Sequence, residues 1–321
     1  MSSSNQLYAN GRIAVLSTKL LGADKFVRLA ECSSIVEAVR VLTECGYGGG
    51  TTVAANEYET LLRAELDQAI ALMKELCYDD NAVKYFLCKY DYANAKVLMK
   101  SKYMRSDGTA YCFVNATYDP SQMQSSFVVD DYSQVSGNMA KALNAIDEQY
   151  ANGNRSAQIV DELLDKAMFQ DMRMCAKKSS VKFVEQLYNW QVDTTNLMLV
   201  YRLKKAGLTK DDYERWIVDG GSVKKEKLLA LWDNDIVAHD LNDKLREFYQ
   251  LCNATNLSLA LAEKAQQTYR NAIVAENADL LTIQPAIEYF YKKVDETEKV
   301  RRVLVDVKNG VDKDKIKDRL K

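Results

Sequence analysis

Apolar residues along this chain recur mostly at three- and four-residue spacing, the period of a helix with one buried face. Residues from about 8 to 45 predict two helices, within longer amphipathic runs, over Ala14–Leu21 and Ile35–Thr43. Gly46-Tyr47-Gly48-Gly49-Gly50-Thr51-Thr52 then predicts a flexible loop. A long helix is expected from Tyr58 to Cys77, with Leu61, Leu62, Leu66, Ile70 and Met73 along one side. Strand signals are few, Ala110-Tyr111-Cys112-Phe113-Val114 being one candidate. The expected fold class is all-α.

Superimposed on this helical pattern is a repeat. Asp91, Asp193 and Asp295 each lie 102 residues after the last, an aromatic (Phe86, Tyr188, Phe290) precedes each by five, and a glycine follows (Gly108, Gly207, Gly310). Each aspartate opens a similar stretch: Asp91-Tyr92-Ala93-Asn94, Asp193-Thr194-Thr195-Asn196 and Asp295-Glu296-Thr297-Glu298. The repeated unit reads as a helical hairpin that turns at the aspartate. In the third copy Pro285 opens a stripe of Ile287, Phe290 or Tyr291, and Val294. A second helix through Val300, Leu304 and Val307 then stops at Asn309-Gly310. The second copy has Val181, Val184 and Leu187, then Val200 and Leu203, and the first has Tyr85, Phe86 and Cys88, then Val97 and Leu98.

Two copies continue alike, through Tyr118-Asp119-Pro120-Ser121 and Asp219-Gly220-Gly221-Ser222, whereas the third ends in a short helix from Asp312 to Leu320. Boundaries near 110 and 216 give three helical repeat domains, 1–110, 111–215 and 216–321. No low-complexity linker separates them, so they are expected to pack against one another.

Composition narrows the function classes. Two prolines in 321 residues leave long helices uninterrupted. A net charge of −2, with basic and acidic residues interspersed, argues against nucleic acid as a partner. The seven cysteines include no CxxC pair and His239 is the only histidine, so reduced, mostly buried thiols are expected rather than zinc. Met1-Ser2-Ser3-Ser4-Asn5 does not read as a secretory leader and no apolar run approaches about 20 residues, so neither secretion nor direct transmembrane insertion is expected. Work at a membrane would require docking on something embedded there.

The chemistry-bearing clusters have bland readings. The Asp-x-x-Asn/Glu stretches suit helix N-caps, because a carboxylate accepts from first-turn N–H groups. The alternative is that they line one surface and meet a partner. The glycine cluster lacks the lysine and preceding strand of a phosphate loop. Asp79-Asp80, Asp130-Asp131 and Asp211-Asp212 lack a third aspartate at magnesium-binding spacing, and Asp233, Asp235 and Asp240 lack a calcium loop's glycine and glutamate. No catalytic residue, cofactor-binding residue or metal ligand is assigned. Tyrosine is abundant, with Tyr85, Tyr90, Tyr92, Tyr188, Tyr289 and Tyr291 in or beside the hairpins, where core packing and a protein interface are both open.

Several of these stretches together resemble one family. Tyr8-Ala9-Asn10-Gly11-Arg12-Ile13 is similar to the opening of the C subunit of V-type and archaeal-type ATPases, known in eukaryotes as the d subunit. Asp91-Tyr92-Ala93-Asn94-Ala95-Lys96, the run from Tyr289 to Arg302, and Lys308-Asn309-Gly310 followed by Ile316-Lys317-Asp318-Arg319-Leu320 resemble it too. The chain departs from the family's usual pattern at Gly11 and at Thr194-Thr195 with Met198. The resemblance spans the whole chain and implies a non-catalytic, funnel-shaped rotor part: three similar helical domains in pseudo-three-fold arrangement around a cavity. It implies no cofactor, and two partners, the central-stalk subunits of the soluble ATPase sector and the proteolipid ring of the membrane sector. It also implies a cytoplasmic, peripheral location, and torque passed on for proton or sodium transport or for ATP synthesis. Two other readings of the residues are a helical-repeat adaptor unrelated to ATPases and an all-α enzyme of isoprenoid or lipid type. The enzyme would need an acidic metal cluster on facing helices.

Overall fold

A computed structural model describes residues 3–50, 53–54, 57–253 and 259–320. Among them are fifteen α-helices, short 3₁₀ turns and no strand, so the fold is all-α. In chain order the helices are α1 (Ser3–Ser17), α2 (Ala23–Ala30), α3 (Ile35–Glu44), α4 (Tyr58–Leu76), α5 (Asp80–Met104), α6 (Pro120–Val128), α7 (Gly137–Ala151) and α8 (Ala157–Lys178). They continue as α9 (Lys182–Lys205), α10 (Lys210–Trp216), α11 (Lys225–Asp233), α12 (Asp243–Asn253), α13 (Leu259–Glu276), α14 (Gln284–Lys308) and α15 (Lys313–Leu320).

The repeat is physically present, but not as a hairpin. Asp91, Asp193 and Asp295 sit inside single uninterrupted helices, α5, α9 and α14, of 25, 24 and 25 residues. These helices begin at 80, 182 and 284, the same period as the aspartates. The chain does not turn at Asp91 and Asp193 because their carboxylates find partners elsewhere in the structure, as described below. All three helices close with the same C-terminal geometry. The N–H of Ser106, Leu208 and Val311 donates to the carbonyl five residues back, on Ser101, Leu203 and Asp306, each at 3.0 Å. This closure needs one left-handed residue. Gly207 (φ 71°) and Gly310 (φ 66°) supply it in two copies, but in the first it falls on Arg105 (φ 53°) rather than on Gly108 (φ −100°).

Other expectations shift locally. Residues 8–45 hold three helices rather than two, because Gly22 and the Ser33-Ser34 cap break the run on either side of α2. The segment with strand character forms a 3₁₀ turn over Thr109–Tyr111 and then an irregular connection. Tyr47–Gly50 is a packed turn in which Gly48 (φ 76°) and Gly49 (φ 64°) are left-handed, not a loose loop, while Thr51 and Thr52 lie outside the described residues.

The chain divides into two compact units. One combines 1–78 and 113–116 with 278–321, joining both ends of the chain. Its core draws Phe26, Leu29, Leu42, Leu61 and Leu62 from the N-terminal helices and Val300, Leu304 and Ile316 from the C-terminal ones. In it α4 runs antiparallel to α14, tied by Arg301–Glu59 at 3.1 Å and Lys293–Glu65 at 2.7 Å. The short 113–116 stretch is held on α4, where the Asn115 N–H donates to Asp67 (3.1 Å) and Lys74 donates to the Asn115 and Ala116 carbonyls.

The second unit comprises 79–112 and 117–277. Here α5 runs antiparallel to α8, tied by Lys100–Asp161 (2.8 Å), Lys96–Asp165 (2.6 Å) and Tyr92–Asp171 (2.7 Å). Tyr92, Leu98, Phe127, Leu143, Ile146 and Leu164 fill the core between them and α6 and α7. Helix α9 packs on α13, where the Trp190 indole N–H donates to the Gln266 carbonyl at 3.1 Å. A rule emerges: each long repeat helix packs on the helix that precedes the next one. α5 takes α8, α9 takes α13, and α14 takes α4, the helix before α5.

Candidate functional site

The site that the repeat builds is a carboxylate at the middle of each long helix. Asp91 and Asp193 are 4% and 1% exposed. Asp91 accepts from the N–H groups of Thr117 (2.8 Å) and Tyr118 (3.4 Å), just before α6. Asp193 accepts from the N–H of Ser222 and of Val223, both at 3.1 Å, and from the Ser222 hydroxyl, just before α11. In the third copy the corresponding acceptor is Glu296, one residue past Asp295, and it takes the N–H of Leu21, just before α2. Each carboxylate thus fixes the backbone that leads into a short helix. In the third copy that backbone comes not from later in the sequence but from the N-terminal part of the chain.

Burial overturns the capping expectation at Asp91 and Asp193, and their presentation to a partner with it: both lie mid-helix and face inward. In the first copy the true cap stands twelve residues upstream. Asp79 accepts from the Ala82 N–H at 2.7 Å, and also from the N–H and hydroxyl of Ser180 and the hydroxyl of Ser179. It therefore joins the start of α5 to the turn between α8 and α9. Burial alone would raise its pKa, but the Ser180 hydroxyl and the two N–H groups outweigh that and hold it below the ordinary carboxylate value. At Asp193 burial wins over the same kind of bonds, and its pKa is raised.

The approach around Asp193 is close enough to dictate a residue. A Cβ on Gly221 would lie 2.1 Å from the Asp193 carboxylate, so only glycine lets Ser222 and Val223 reach it. Asn196, one turn on, both donates to the Val218 carbonyl (2.8 Å) and accepts its N–H (2.9 Å). The Asp-x-x-Asn spacing therefore serves one purpose in this copy: two polar side chains on one helix face hold one returning stretch of backbone.

In the third copy the carboxylate belongs to a buried charged cluster. Lys293, 11% exposed along its side chain, bridges Glu65 (2.7 Å) and Glu296 (2.8 Å) and lies 4.9 Å from the Tyr47 ring centre. Glu65 also accepts the Gly48 N–H, and Tyr47 and Thr297 share a hydroxyl hydrogen bond of 3.0 Å. Burial disfavours the Lys293 charge, but Glu296 and Glu65 together raise its pKa. This cluster pins the glycine turn to α4 and α14. The sequence carried a signal for it: Glu65 interrupts the apolar stripe of Leu61, Leu62, Leu66 and Ile70 on α4.

Of the tyrosines whose role was open, Tyr85, Tyr90, Tyr92, Tyr188 and Tyr289 are buried in packing positions. Of the acidic pairs, Asp211-Asp212 serves local structure, with Asp212 and Thr209 forming a reciprocal cap at the start of α10. Among the described residues no three His, Cys, Asp or Glu side chains are grouped as a metal site, and no helix is long and apolar enough to cross a membrane. What the clamps can do is mechanical: they hold backbone in place through charge-assisted hydrogen bonds sheltered from water.

Comparison with known proteins covers nearly the whole chain. Residues 9–319 match the family described as ATP synthase (C/AC39) subunit. The C subunit of the A-type ATP synthase of Methanosarcina mazei is 25% identical, over 99% of this chain and 93% of its own. That of Methanococcoides burtonii is 24% identical, over 99% and 95%. That of Thermococcus gammatolerans is 23% identical, over 97% and 88%.

Proposed function

The chain belongs to the ATP synthase (C/AC39) subunit family, and from that premise we propose that it is the non-catalytic connector of a rotary ATPase, joining the central stalk to the membrane proteolipid ring. The observation that carries this reading is end-to-end similarity to relatives named as the C subunit of A-type ATP synthases. The clamps add a physical reason. A part that passes torque must not yield, and dense helical packing resists deformation. Buried hydrogen-bonded carboxylates stiffen it further where loops would otherwise be free.

In this proposal the protein consists of three equivalent helical units, centred on α5, α9 and α14. The 102-residue repeat spaces them as 1–110, 111–215 and 216–321. The protein docks peripherally on the cytoplasmic face through the ring, without inserting into the bilayer. ATP hydrolysis in the soluble sector then turns the ring for proton or sodium transport, or the reverse drives ATP synthesis.

The test is affinity capture from detergent-solubilised native membranes with this chain as bait, read by mass spectrometry. Stoichiometric recovery of both stalk and ring proteins is the expected result. Recovery of neither by folded bait overturns the connector role and leaves a helical adaptor.

A further inference from the structure

Two thiols meet at the seam between α5 and α8. The antiparallel register of that seam is fixed by Lys100–Asp161, Lys96–Asp165 and Tyr92–Asp171 on one side. On the other it is fixed by Asn81, which donates to the Lys178 carbonyl at 3.3 Å, and by Asp79 with Ser180. One turn from Tyr92 and one turn from Asp171, the same register sets Cys88 opposite Cys175. Cys88 is 7% exposed, while Cys175 is half-buried and reachable from solvent.

We propose that Cys88 and Cys175 form a peroxide-sensitive dithiol, which closes into a disulfide that staples α5 to α8. The division of labour follows from the surroundings. The Cys88 thiol favours the Cys175 thiolate, helped by Lys84 and Lys178 against burial and the Asp171 charge, so Cys175 ionises first. Cys88 keeps its proton, because it faces Cys175 and is buried near Asp91 and Asp171.

The chemistry balances with hydrogen peroxide as oxidant. The Cys175 thiolate attacks one peroxide oxygen; an S–O bond forms, the O–O bond breaks, and hydroxide leaves to take a proton and become water. The Cys88 sulfur then attacks the Cys175 sulfur; an S–S bond forms, the S–O bond breaks, and a second water leaves with the Cys88 proton. Two thiols lose two electrons and two protons, and one peroxide becomes two waters.

The experiment treats the purified full chain with hydrogen peroxide, blocks free thiols with N-ethylmaleimide, digests with trypsin and reads the peptides by mass spectrometry. Tyr85–Lys89 joined to Met174–Lys177, two hydrogens lighter than the free pair and separated again by dithiothreitol, is the expected product. In C88S, dimedone is expected to trap Cys175 as the sulfenic acid. In C175S, whose replaced side chain is only half-buried, Cys88 is expected to stay a free thiol. The proposal is overturned if Cys175 proceeds to sulfinic acid with Cys88 free. It is equally overturned if both thiols survive peroxide that oxidises other cysteines of the chain.

Discussion

Two aspartates with similar hydrogen-bond partners titrate in opposite directions, and burial decides which way. Asp79 is held below its ordinary pKa, so it contributes stability above that ordinary value, near 3.9, and loses it as pH falls through the folded value. In D79N this part of the acid limb is expected to flatten, measured as urea unfolding midpoints across pH 2–5. Asp193 is raised, so its ionisation opposes folding as pH rises through its folded value. Its hydrogen bonds still matter. D193A removes the acceptor of the Ser222 and Val223 N–H groups and is expected to cost about 1–2 kcal/mol by chemical denaturation, with G221A acting the same way by displacing the carboxylate. The Lys293 cluster follows the rule for buried ions: the pairing offsets desolvation, and losing one partner leaves an uncompensated charge.

At the scale of the helix, the repeat was legible and its meaning was not. The 102-residue period, the aromatic positions and the stops at Gly207 and Gly310 all match α5, α9 and α14. The aspartates read as caps because Asp is poor inside a helix and good at its start, and local propensity sees nothing else. What fills the mid-helix clamps is tertiary: backbone N–H groups arriving from 26 to 30 residues away in two copies, and from the far end of the chain, onto Glu296, in the third. Sequence spacing along one helix cannot show such partners. The first copy closes without its glycine. Arg105 takes the left-handed conformation that glycine adopts freely, three residues before Gly108. R105G is therefore expected to stabilise the chain by about 0.5–1 kcal/mol, and G207A to destabilise it by a similar amount, both read from thermal unfolding midpoints.

At the scale of the whole molecule, the two ends of the chain share one core. Helices α1 to α4 pack with α14 and α15, while 79–112 and 117–277 form the other unit. Ending the chain after Asn277 removes every C-terminal contribution to the first core and none of the second. Such a truncation is expected to leave residues 1–78 open to protease and rapid hydrogen exchange while α5 to α13 stay protected. Helix content and period were readable because they depend on neighbours in sequence; the pairing of the termini was not, because it depends on residues more than 200 positions apart. That pairing also sets a clock on the ribosome. Residues 1–78 are made before their partner helix α14, which ends at Lys308, roughly 10–50 s of synthesis later at about 5–20 residues per second. Throughout that interval Leu29, Leu42, Leu61 and Leu62 lack the C-terminal half of their core and are what a nascent-chain chaperone would meet.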